Sequence, residues 1–149
     1  MSQQTESMLN RVLIDMGRSF LQYISDAWPW VDPLAQSIQD QVMVIGARQR
    51  QDVAELATLL TEREHIIDFG TFPTEYTDLQ FLSLDSILTL IHKSQSSICS
   101  TVSQVLSELN TSGDDSEALA LLTAVEIRQK EATTVLKELQ DELSQPAAG

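Results

Sequence analysis

One cysteine, Cys99, occurs in 149 residues. That excludes an internal disulfide and any zinc site built from several thiolates, and leaves Cys99 the expected role of a small apolar filler on a helix. Aromatic residues make up 5% of the chain, with five glycines and four prolines, too little turn chemistry for a sheet-rich protein. Nowhere do about eighteen apolar residues occur together, so no membrane-spanning helix is expected. The amino end, MSQQTESMLNRVLIDMG, lacks a basic stretch followed by an apolar run, and this predicts no secretory leader and a reducing, cytoplasmic setting. Basic residues are also scarce. Nine stand against 22 acidic ones, for a formal charge of -13, a field that repels phosphate backbones and anionic headgroups. Nucleic acid and membrane are therefore excluded as expected partners, leaving a protein partner or self-association. There is no glycine-rich phosphate loop and no credible Ser/His/Asp set, and DFG at 68–70 lacks the companion loops of a kinase.

What is present is helical periodicity. Hydrophobic residues are 42% of the chain, enough for one domain over 1–149 with a continuous core. Four segments, 7–27, 34–65, 78–109 and 115–143, carry apolar stripes with a period near 3.6. The breaks between them are WPWVDP, DFGTFPTEYTD and NTSGDD, and residues 144–149 are expected to fray. Expected caps are Asp32 with Pro33 for the second segment, Thr77 or Asp78 for the third, and Asp115 or Ser116 for the fourth. Four amphipathic helices without a strand candidate predict an all-α four-helix bundle. The short first and third breaks make segments 1 and 2, and 3 and 4, antiparallel neighbours. The second break admits either an up-down-up-down return or a crossover along the bundle.

Glu62-x-x-His65 has the spacing that di-metal bundles use to hold iron. With about 100° per residue and Leu56 at the centre of the apolar face, Glu62 lies about 120° away and His65 about 180° away. Both point outward, at a helix end, so the pair reads as a charged terminus; His65 and His92 stand alone, without the partners a metal site needs. The same wheel places Gln49, Gln95 and Gln129 on the stripes, each near the midpoint of its segment, with Gly17 at the midpoint of the first. The expected central layer is thus Gly17, Gln49, Gln95 and Gln129, a neutral set of amides able to satisfy one another and fix helix register. Asp52 and Glu126 are expected near that level, neutralised by Arg48 or Arg128. Trp28 and Trp30, beside a proline turn at one bundle end, form a lid over the core or an interaction surface.

LQYISDAWPWVDP at 21–33 and GTFPTEYTDLQFLSLDSIL at 70–88, with Gln95 beyond them, resemble an uncharacterised family of small bacterial helical proteins regarded as ferritin-like. The resemblance implies a ferritin-like bundle with the 66–77 break as its crossover, and implies no activity. Against the wider ferritin-like template this chain has Gly17 where the first helix offers Glu, Gln49 and Asp52 in place of Glu-x-x-His, Gln95 in place of Glu, and Gln129 in place of His. The expectation is a non-enzymatic interaction or assembly protein, self-association into a dimer included, without a cofactor. The alternative is a degenerate ferritin-like oxidoreductase or metal-binding protein holding iron, manganese or zinc through Asp52, Glu126 and Glu55.

Overall fold

The computed structural model describes residues 3–26, 36–74, 76 and 83–144. Among the described residues five α-helices follow one another: α1 (Gln3–Gly17), α2 (Phe20–Asp26), α3 (Gln36–Glu62), α4 (Leu84–Ser112) and α5 (Ser116–Ser144). The first two are the halves of the first expected helix, broken at Arg18 and Ser19. Trp28, Trp30 and the caps expected at Asp32, Thr77 and Asp78 lie outside the described residues. Instead Ser83 caps α4, its hydroxyl accepting from the Ser86 amide at 3.2 Å. Gly113 closes α4 in the left-handed conformation (φ 66°), its N–H donating to the Leu109 carbonyl. Asp115 starts α5 by accepting from the Ala118 amide at 3.0 Å.

Two apolar clusters fix the topology. In one, Leu9 and Met16 of α1 meet Leu56 and Leu60 from the end of α3, Val105 and Leu109 from the end of α4, and Leu122 from the start of α5. In the other, Phe20 and Ile24 of α2 meet Ile38 and Val42, Ile87 and Ile91, and Leu136 and Leu139. Both clusters are thus met in the same order along α3 and α4, so these helices are parallel, while α1 and α5 run the opposite way. The bundle is ferritin-like and not up-down-up-down. The connection from Arg63 to Ser83 must therefore cross the bundle lengthwise. Extended, it spans about 70 Å, ample for the roughly 40 Å of α3's 27 residues. Its described part lies along the first two helices: Asn10 exchanges hydrogen bonds with the Asp68 backbone at 2.7 and 2.9 Å, Arg18 Nε donates to the carbonyls of Phe69 and Gly70, and Phe72 and Tyr76 pack edge-on against Tyr23 and Phe20.

Arg63 clamps the bundle end. Its guanidinium binds Asp115 in a two-pronged pair at 2.6 and 2.9 Å and Glu117 at 3.1 Å, with buried Glu6 at 3.8 Å, so it ties α3 to α5 and α1. This pair holds the Asp115 carboxyl below its ordinary 3.8, chiefly through the Arg63 hydrogen bond. A depressed folded pKa adds stability above 3.8 that is lost as pH falls through the folded value. Asp115→Asn should therefore show a shallower stability loss than wild type when melting temperature is followed below pH 3.8.

Two helical glycines differ in consequence. A Cβ at Gly46 would sit 2.5 Å from the Ser25 hydroxyl, which is held on the Leu21 carbonyl. At Gly17 the nearest atom would be Val53 Cγ1 at an ordinary 3.7 Å. Gly46→Ala should cost about 1–3 kcal/mol in urea denaturation through overpacking, whereas Gly17→Ala should gain up to about 1 kcal/mol of helix propensity. Ser25→Ala should recover much of the Gly46→Ala loss.

Candidate functional site

Halfway along the bundle the core turns polar. Gln49 of α3, Gln95 of α4 and Gln129 of α5 are exposed by only 2%, 0% and 2%, and each lies on its helix's apolar stripe, so helix packing carries them inward together. Gln49 Nε2 donates to Gln95 Oε1 and Gln129 Oε1, both at 3.0 Å, and Gln95 Nε2 donates to Gln129 Oε1 at 2.6 Å. From the first helical arm come Ser19 and Gln22, whose Oγ and Nε2 donate to Gln49 Oε1 at 3.1 and 3.0 Å. Gln22 Nε2 also reaches the Gly46 carbonyl at 2.8 Å. Gly17 is not in this layer. It faces Val53, one turn from Gln49 toward the bundle end where α1 begins, and α1 ends there, before the break at Arg18 and Ser19.

The network meets a charge on each side: Gln22 Oε1 accepts from Arg50 Nε at 3.4 Å, and Gln129 reaches a carboxylate. Asp52, 2% exposed, accepts from Gln129 Nε2 at 2.8 Å and from Arg128 Nε at 2.6 Å, and Arg128 Nη2 continues to Glu55 at 3.1 Å. This carboxylate orients every amide. An acceptor at Asp52 requires the NH2 of Gln129 to face it, which turns Gln129 Oε1 toward Gln49 and Gln95. Those two must then present NH2 groups, and Gln49 is left with its oxygen toward Ser19 and Gln22. Burial pushes the Asp52 carboxyl up from its ordinary 3.8, against the opposing Arg128 hydrogen bond. With the folded pKa raised, that contribution to stability is complete below 3.8 and declines as pH rises through the folded value, opposite to Asp115.

Other expected site residues fall elsewhere. Glu126 is not at the centre: it accepts from Ser103 at 2.7 Å and lies 3.6 Å from Lys130. The reason is angular. Residues 126 and 128 project about 160° apart on a helix, so when Arg128 leans toward α3, Glu126 leans toward α4. Glu55 is exposed on the outer side of Arg128, and Arg48 is exposed without reaching Asp52 or Glu126. Glu62 is exposed, and His65 lies past the end of α3. Ser19 and Gln22 escaped the sequence reading, although Ser19-x-x-Gln22 is a helix-start signature and Ser19 Oγ does accept from the Gln22 amide, at 3.3 Å.

Beside the layer, a groove of about 680 Å³ opens between α3 and α5, floored by Gln49, Asp52, Gln129 and Ala132 and flanked by Arg48, Glu55, Arg128, Glu131 and Val135. Among the described residues no helix is long and apolar enough to cross a membrane.

A bundle with this helix order and centre can be set beside known proteins. Among solved structures, seven chains match. One is a crystal structure of a variant of the ferritin PmFTN soaked in iron, with a TM-score of 0.68 at 14% identity, over 97% of this chain and 94% of that one. At that identity the likeness establishes the fold alone. No family profile matches the sequence, and no curated protein matches it either.

The ferritin-like fold implies iron, so the fit of the central residues to a metal is testable. Di-metal bundles use four Glu and two His at this level. Here the inward set is four amides, the Ser19 hydroxyl and one carboxylate, and both Asp52 oxygens are already taken by Arg128 and Gln129. Among the described residues no group of three or more His, Cys, Asp or Glu is placed to hold a metal ion. The donor set does not fit a metal pair.

Proposed function

We propose that this chain is a non-enzymatic ferritin-like bundle that works by binding protein, with the α3–α5 groove as its binding face and the amide layer as a lock on helix register. The carrying observation is the closed hydrogen-bond network of Gln49, Gln95, Gln129 and Asp52. It lies at the level where bundles of this class build a metal cage, and amides with a single carboxylate, whose two oxygens already accept from Arg128 and Gln129, are a poor donor set for iron, manganese or zinc. A formal charge of -13 disfavours nucleic acid and anionic lipid and leaves protein as the partner class. A cytoplasmic setting belongs to the same proposal.

Elemental analysis of protein purified without a tag tests the reading. The expected result is no stoichiometric iron, manganese or zinc. A stoichiometric metal lost on Asp52→Ala or Glu126→Ala would overturn it in favour of the metal-binding alternative.

A further inference from the structure

The groove between α3 and α5 has walls that match each other in height and in sign. The Gln49–Gln129 bond of 3.0 Å sets the two antiparallel helices level. With a rise of about 1.5 Å per residue, Arg48 then lies about 1.5 Å, and Glu131 about 3 Å, on the same side of that level. One step further in the same direction, Val44 lies about 7.5 Å and Val135 about 9 Å from it. Arg48 and Glu131 are exposed, and neither forms an ion pair with a described residue. Val44 and Val135 are 56% and 36% exposed, two of the large apolar side chains that face water among the described residues. Arg48 lines the groove from α3, and Glu131 and Val135 line it from α5, while Val44 lies one turn before Arg48, so each helix carries half of a charge pair and half of an apolar pair at nearly equal heights.

We infer that the occupant of this face is a second copy of the same chain, related by a two-fold axis parallel to the bundle. Such an axis leaves heights unchanged and exchanges the walls, laying α3 of one copy over α5 of the other. Arg48 then meets the partner's Glu131 and Val44 meets the partner's Val135, and each contact occurs twice because the interface is isologous. Charge selects this face as well. The chain as a whole is at -13, so two copies repel through most of their surfaces, whereas this groove holds Arg48 and Arg128 against Asp52, Glu55 and Glu131. The inference rests on the groove being the binding face proposed above, and it identifies the partner.

Sedimentation or light scattering of the full chain between about 1 and 100 µM provides the test. Wild type should show a concentration-dependent dimer. Arg48→Glu and Glu131→Arg should each be folded monomers by circular dichroism, since both positions are exposed and each change sets like charges together twice. Mixed in equal amounts, the two variants should form a one-to-one heterodimer, because both exchanged pairs are then restored. A monomer at every concentration, a dimer indifferent to both changes, or single variants that fail to recover on mixing would each overturn the inference. Stoichiometric metal would instead overturn the non-enzymatic reading, whatever the oligomeric state.

Discussion

Gln95→Leu should lower stability by about 2–4 kcal/mol in urea denaturation, a large effect for one residue of nearly the same volume. Gln95 is wholly buried and holds one hydrogen bond from Gln49 and one to Gln129. Leucine removes both and leaves two buried amides short of a partner, at about 1–3 kcal/mol for each group left unsatisfied. The direct Gln49–Gln129 bond remains, and this keeps the loss below the full sum. Replacing Gln49, Gln95, Gln129 and Asp52 together with apolar residues, with Ser19→Ala, should recover most of that loss, because Gln22 keeps the Gly46 carbonyl and Arg128 keeps Glu55. A Gln95→Leu chain as stable as wild type would mean that the network does not hold the register.

A second large effect is expected from rebuilding the cage. Gln49→Glu, Asp52→His and Gln95→Glu together place Glu-x-x-His on α3 and a facing Glu on α4 at the level where metal bundles hold their ions. Without metal the variant should lose at least about 3 kcal/mol, because two carboxylates are buried without cations. With zinc or manganese in excess most of that loss should be recovered, since binding to the folded state adds about 2.7 kcal/mol at a hundredfold excess over Kd. Thermal melts with and without metal read both changes. Wild type carried through the same titration should not shift.

How far this centre was legible in sequence depends on phase. In α3, α4 and α5 the helices run unbroken through the layer, so counting by about 100° per residue brought Gln49, Gln95 and Gln129 to one point. In the first segment the midpoint of 7–27 falls on Gly17, but the helix is interrupted at Arg18 and Ser19, and Ser19 and Gln22 supply the layer in its place. Glu126 went astray for a related reason. A three-residue spacing from Gln129 secures the same broad face, yet not which neighbour that flank meets, and α5 meets α4 on one flank and α3 on the other. The crossover could not be decided from composition, because the connection reaches Ser83 and is longer than the break in periodicity suggested. The apolar stripes could not separate parallel from antiparallel, since either arrangement buries them. The resemblance of 21–33 and 70–88 to ferritin-like proteins favoured the topology that the structure has.

The central claim is that the middle of the bundle is a closed amide network and not a metal cage, and the side-chain NH2 resonances of Gln49, Gln95 and Gln129 report on it directly. In a nitrogen–proton correlation spectrum, recorded before and after one equivalent of manganese(II), these three pairs should be protected from exchange with water and unbroadened by the ion. Selective broadening of the same three pairs at one equivalent would place the metal among them and contradict the account.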